Sequence, residues 1–140
     1  MINGAEDLGA PDIPNNEEGW GQLNLQNTVM PSHQGNSLST FYDDGNTLQP
    51  SFGLLYELDL DPTSGLDITL TWNDESGSAN SPQTDAKLVN DLDLILIDPD
   101  GNQILGNNFN AGYSVIGGVG DSLNNVERVR IAPDSFTNSG

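Results

Sequence analysis

An antiparallel all-β fold, a jelly roll or β-sandwich, is what this 140-residue sequence predicts, and three observations predict it. Apolar residues recur with period two in short runs. Between the runs stand Gly, Pro, Asn, Asp and Ser, which turn a chain by relaxing φ, fixing φ or hydrogen-bonding nearby backbone. Some of the connections are long, as they are where strands close a sandwich instead of a simple meander.

The elements follow in chain order. Residues 1–31 are rich in Gly, Pro and Asn and too short to fold alone, and Gly19-Trp20-Gly21-Gln22-Leu23-Asn24-Leu25 predicts a turn leading into a helix or strand. A loop at 31–37 comes next. Leu54, Tyr56, Leu58 and Leu60 alternate on one side of a first strand, and Leu66, Ile68, Leu70 and Trp72 on one side of a second. Asp61-Pro62-Thr63-Ser64-Gly65 supplies turn chemistry between them, so the two predict a hairpin. A polar loop, 73–87, is long enough to suggest function or motion.

Residues 88–97 give the strongest strand, expected to be central, with Leu92, Leu94 and Leu96 facing one way and Asp91, Asp93, Ile95 and Ile97 the other. Asp98-Pro99-Asp100-Gly101 ends it, residues 103–105 return, and a Gly- and Asn-rich excursion fills 106–121. A last short strand spans 126–131, ahead of Pro133.

Composition narrows the partners. Only Lys87, Arg128 and Arg130 oppose 21 acidic residues, for a formal net charge of −18, so phosphate backbones are repelled and nucleic acid is excluded as a partner. The same excess suits divalent cations or a saline exterior, because bound cations relieve self-repulsion. With no cysteine there is neither a disulfide framework nor a thiolate metal site. No run approaches the roughly 20 apolar residues of a membrane span, and Met1-Ile2-Asn3-Gly4 lacks the features of a signal peptide, so an export signal is expected outside this sequence.

Serine-nucleophile hydrolysis needs a histidine oriented by a carboxylate, but the one histidine, His33, stands in the polar loop Pro31-Ser32-His33-Gln34-Gly35, and no Gly-x-Ser-x-Gly elbow occurs. The chain is therefore read as noncatalytic. Metal chemistry fits better, since calcium takes six to eight oxygens and Asn90-Asp91-Leu92-Asp93 supplies them densely. On a strand, Asp91 and Asp93 share a face about 6–7 Å apart, and Asp74 and Glu75 could close the shell. The alternative is a solvated strand entrance with Asp74 capping a turn. Glu127 shares a face with Val129 and Ile131, so its carboxylate needs a hydrogen-bond partner or an ion, and a structural hydrogen bond is the expectation.

Asp59-Leu60-Asp61, Asp98-Pro99-Asp100-Gly101 and Tyr42-Asp43-Asp44-Gly45-Asn46 are read as turns. Asn124-Asn125 could serve loop backbone or ligand alike. Trp20 and Trp72 are read as packing residues, although aromatic-bearing acidic sandwiches also serve as carbohydrate-binding modules.

With these residues in place, the chain resembles large subtilisin-like serine proteases that carry a jelly-roll β-sandwich after the catalytic domain. Ile2-Asn3-Gly4-Ala5 and Asn15-Asn16-Glu17-Glu18-Gly19-Trp20-Gly21-Gln22-Leu23-Asn24-Leu25 look like the tail of a subtilase catalytic domain. Leu70-Thr71-Trp72-Asn73-Asp74, Leu88-Val89-Asn90-Asp91-Leu92-Asp93-Leu94, Pro99-Asp100-Gly101 and Asn124-Asn125-Val126-Glu127, followed by Ile131-Ala132-Pro133, look like successive signposts of the appended sandwich. The resemblance implies a galactose-binding or P-domain-like sandwich over 32–140, preceded at 1–31 by the catalytic-domain tail. It implies secretion, a stabilising and nonchemical role beside the protease catalytic domain, and structural calcium, with ligand duty falling on Asp74, Asn90, Asp91 and Asp93. The family's catalytic triad lies upstream of residues matching this chain, so peptidase activity does not carry over. The family also continues past the Pro133 region with further strands, so this sandwich is expected to lack its last strands or to take one from another chain by β-augmentation. The rival expectation is a stand-alone extracellular module binding polysaccharide or a surface protein.

Overall fold

The computed structural model describes residues 1–29, 40–61, 63–80, 82 and 86–136. Their regular structure is mostly strand with little helix, in small antiparallel sheets. A 3-10 turn at Ile2–Gly4 and a short helix α1 (Leu25–Val29) precede β1 (Leu66–Thr71), β2 (Ile95–Ile97), β3 (Gln103–Leu105), β4 (Phe109–Asn110), β5 (Tyr113–Ser114) and β6 (Val126–Ile131). Asn24 starts α1: its side-chain oxygen accepts the Asn27 amide at 3.0 Å, as an N-cap asparagine does.

The spine is the pair β1 and β6, antiparallel with Leu66 opposite Ile131, Ile68 opposite Val129 and Leu70 opposite Glu127. Residues directly opposite share a face, so these six lie on one side and Asp67, Thr69, Thr71, Val126, Arg128 and Arg130 on the other. On the first side, Ile104, Val129 and Ile131 are buried, with Leu66, Leu94, Leu96 and Phe136 packed against them. The second side is ionic. The Arg128 guanidinium, buried to 1% exposure, reaches Asp67 Oδ1 through Nε at 2.9 Å and Nη2 at 2.8 Å.

That ionic side is covered from two directions. Asn3 donates to the Asp67 carbonyl at 3.1 Å and accepts from the Thr69 hydroxyl, which ties the N-terminal segment to β1. The β4–β5 hairpin turns at Ala111 and Gly112, both with φ near that of a type I′ turn (50° and 82°), and brings Ser114 Oγ within 2.9 Å of the Arg130 amide it accepts. Tyr113 sits beneath the Arg130 guanidinium at 5.3 Å.

β2 and β3 form the hairpin expected around Asp98-Pro99-Asp100-Gly101, with Ile97 opposite Gln103. Asp98 Oδ1 accepts the amides of Asp100 and Asn102, and Gly101 takes the left-handed φ of 84° that only glycine adopts at no steric cost. These carboxylate oxygens serve the turn. The expected alternation also stands: Leu92, Leu94 and Leu96 are half-buried while Asp91, Asp93, Ile95 and Ile97 are exposed.

Two expectations are corrected. Residues 54–60 form no strand and no hairpin with β1; Leu54, Leu55, Tyr56, Leu58 and Leu60 are exposed. β1 takes β6 instead, for an electrostatic reason: Glu57 and Asp59 on the polar side of 54–60 would meet Asp67, whereas β6 offers Arg128 and Arg130. The strand expected over 88–97 is confined to Ile95–Ile97, because the amides of Val89, Asn90 and Leu94 go to side-chain carboxylates and not to a neighbouring strand. The loop at 31–37, His33 and Pro62 lie outside the described residues.

Candidate functional site

Three segments far apart in the sequence meet at the Thr71 end of β1, where β6 begins. Pairing runs one residue past the strands: the Trp72 amide donates to the Asn125 carbonyl at 3.3 Å, and Asn125 Nδ2 donates back to the Trp72 carbonyl at 3.0 Å. The Trp72 indole N–H then reaches the Asn90 carbonyl at 3.0 Å. Asp74, two residues on, accepts the Val89 amide on Oδ2 at 2.7 Å and both the Asn90 amide and Nδ2 on Oδ1 at 2.9 and 2.8 Å. Partial burial by itself would raise the Asp74 carboxyl, but these donors hold it below the usual carboxylate range.

Glu127 is the centre of this end. It is 1% exposed, its Oε2 accepts the Leu94 amide at 2.6 Å, and Oε1 has no hydrogen-bond partner among the described residues. Burial raises its carboxyl from the ordinary 4.5 to about 7; the Leu94 hydrogen bond opposes this, and the charges of Asp93, Asp121 and Asp91 add to it. Asn107 braces the same place, donating to Asp121 Oδ2 at 2.6 Å and to the Val126 carbonyl at 2.8 Å while accepting the Arg128 amide at 2.9 Å. Its φ of 57° is left-handed, a region asparagine tolerates better than most residues.

Of the residues the sequence singled out, Asp74 and Asn90 are joined to each other, and both bind loop backbone or loop amide. Asp91 and Asp93 are exposed and flank Glu127 electrostatically. The buried Glu127 was legible as a core-facing carboxylate, and the structural hydrogen bond expected of it is the one from Leu94. Asn107 and Asp121 were missed, since nothing but a Gly- and Asn-rich stretch marks them in the sequence.

A second acidic group was also missed. One carboxylate oxygen from each of Asp7, Asp12 and Glu18 lies within 4.8 Å of the others. These side chains organise their own loop, through Asp7 to the Gly9 and Asp12 amides, Glu18 to the Leu8 amide, and Asn15 to Asp12 and Glu18.

Two predictions arise from this geometry. Asp74→Ala removes the acceptor of three donors, and amide exchange at Val89 and Asn90 is expected to speed by about an order of magnitude while β1 and β6 keep their protection, as measured by hydrogen exchange. Glu127 sets a pH dependence. With its folded carboxyl near 7 and its ordinary value 4.5, the folded chain binds more protons than the unfolded chain between those values, so stability falls as pH rises through that window. The loss, allowing for screening by solvent, is about 1–2 kcal/mol. Asp67, raised by burial against the pull of Arg128 and Arg130, acts in the same direction. Denaturant midpoints in chelator at pH 5 and pH 8 are expected to differ in the original chain and to differ less in Glu127→Gln.

Compared with known protein families, curated proteins and solved structures, the chain matches none of them. No helix among the described residues is long and apolar enough to cross a membrane.

Proposed function

We propose that this chain is a noncatalytic accessory domain of a secreted subtilisin-like serine protease, stabilising the catalytic domain beside it and itself stabilised by bound calcium. The observation that carries the reading is the convergence at one end of the β1–β6 pair. The segments that resemble the family's signposts, Leu70–Asp74, Leu88–Leu94 and Asn124–Glu127, meet there through Trp72, Asp74, Asn90, Asn125 and Glu127. Segments that serve one role are expected to meet, whereas chance matches have no reason to. The finer fold reading, a jelly-roll sandwich, is supported by β1 lying antiparallel to the last described strand, β6, with the two hairpins β2–β3 and β4–β5 between them in sequence, so the first and last strands of the set pair with each other.

The test is association with a separately supplied subtilisin-like catalytic domain, followed by calorimetry and by the protease's thermal inactivation. Binding with a slower loss of peptidase activity is the expected result; no association with, and no protection of, any such domain would sink the reading.

A carbohydrate-binding module is the second reading, and one observation favours it. Phe41 and Tyr56 form an exposed edge-to-face pair at 6.1 Å, with the Tyr56 hydroxyl donating to Asp43 at 2.6 Å. Retention on insoluble polysaccharide, lost in Tyr56→Ala, would select it over the protease reading.

A further inference from the structure

We propose that residues 54–61 are a strand held ready for another protein: the segment adds to the open sheet edge of a partner whose edge strand alternates apolar residues with lysine or arginine. This goes beyond the accessory-domain reading and does not depend on it. It also reverses the strand exchange expected from sequence, since here the chain is the giver.

The first support is a backbone without partners. Residues 52–61 hold no helix, strand or turn, and none of them takes a left-handed φ. Among the described residues, no amide or carbonyl from Gly53 to Leu60 makes a hydrogen bond. A row of free amides and carbonyls is the pairing surface that strand addition uses.

The second support is the pattern of side chains. In an extended chain Leu54, Tyr56, Leu58 and Leu60 fall on one side and Leu55, Glu57, Asp59 and Asp61 on the other. The apolar members are all exposed, Leu55 to 86%, and none belongs to the core, so the segment carries both faces of a strand with no sheet of its own. Tyr56 arranges it in advance. Its ring meets Phe41 edge-on at 6.1 Å and its hydroxyl donates to Asp43 at 2.6 Å, which fixes the middle of the segment and lowers the ordering cost of binding.

Charge chooses the partner. Residues 40–61 hold the carboxylates Asp43, Asp44, Glu57, Asp59 and Asp61 and no lysine or arginine. β1 does not take this segment, because Glu57 and Asp59 would meet Asp67. A second copy brings the same carboxylates and is repelled at neutral pH, as is an anionic lipid surface. A cationic strand turns the same contacts into attraction: lysines or arginines opposite Glu57, Asp59 and Asp61 pair across the ladder, and apolar residues opposite Tyr56 and Leu58 close the other face.

The experiment uses the whole chain and a labelled synthetic peptide alternating valine with lysine, with a valine and glutamate peptide of the same length as control. Binding is followed by fluorescence anisotropy and mapped by amide hydrogen exchange. The lysine peptide is expected to slow exchange at residues 54–60 by about tenfold while leaving β1 and β6 unchanged, and the glutamate peptide to do nothing. Glu57→Lys with Asp59→Lys is expected to exchange the preference between the two peptides. Leu55→Pro with Leu58→Pro removes one amide from each edge of the strand without altering charge or any hydrogen bond of the folded chain, and is expected to abolish the protection. Binding untouched by the prolines would show general attraction to an acidic surface and overturn the proposal. So would exchange at 54–60 that the lysine peptide leaves unaltered, a preference for lysine that survives the charge reversal, or a dimer of the original chain at neutral pH with these amides already protected.

Discussion

Replacing Arg128 with alanine is expected to cost the fold about 3–5 kcal/mol, a large share of the 5–15 kcal/mol that holds a typical domain together. Arg128 is 1% exposed and makes two contacts to Asp67 across the β1–β6 pair. Its removal leaves Asp67 with the longer 3.7 Å contact to Arg130 and a carboxyl that burial already pushes above the usual range. The pair is not thereby a net source of stability. Desolvation of both ions offsets much of their attraction, so Arg128→Met combined with Asp67→Leu is expected to recover most of the loss. Urea unfolding followed by dichroism measures all three proteins. Equal stability of Arg128→Ala and the original would show that the pair neither fastens the sheet nor leaves a stranded charge behind.

The second large effect is expected at Ile104. It is 3% exposed and stands on β3, yet its neighbours Val129 and Ile131 belong to β6, so one side chain joins the β2–β3 hairpin to the spine. Ile104→Ala should lose about 3 kcal/mol from transfer and cavity terms together, and Ile104→Val about 1 kcal/mol. Few other contacts are available to share the load, because the described core is small. Hydrogen exchange adds a discriminating readout: in Ile104→Ala the amides of Ile95 to Ile97 should lose protection earlier than those of β1. Simultaneous loss in both sheets would mean that the hairpin and the spine open as one unit.

How much of this was legible depended on whether the information was local. The turn at Asp98–Gly101, the strand Val126–Ile131 and the alternation of Leu92, Leu94 and Leu96 follow from residue type and period alone, and the structure has them. Partner choice is not local. Leu66 to Thr71 reads as an edge for whichever apolar strand is near, and proximity in sequence favours 54–60. The structure gives it β6, because Arg128 and Arg130 are two of the chain's three cations and Asp67 needs them. The shortening of the 88–97 strand has the same origin. Period predicts which side a residue faces but not that Asp74 and Glu127, 15 and 33 residues away from the Val89 and Leu94 amides they accept, will take up ladder hydrogen bonds. For the candidate site the sequence marked Asp74, Asn90, Asp91 and Asp93 as one group and Glu127 apart from them. It could not show that Asp121 and Asn107 stand with them, since loops place residues by contacts that carry no periodic signal.

The exposed stretch at 52–60 bears on handling the protein in solution. Phe52, Leu54, Leu55, Tyr56, Leu58 and Leu60 present apolar surface to water, interleaved with Glu57 and Asp59 and followed by Asp61. Such interspersed charges act as gatekeepers that keep a sticky extended segment from stacking on copies of itself. Their protection is purely colloidal, and it weakens with high salt or with acid near the sequence isoelectric point of 4.1, where neighbouring molecules cease to repel. A chain that stays dispersed at neutral pH is thus expected to self-associate through this segment on acidification, before its sheet has unfolded.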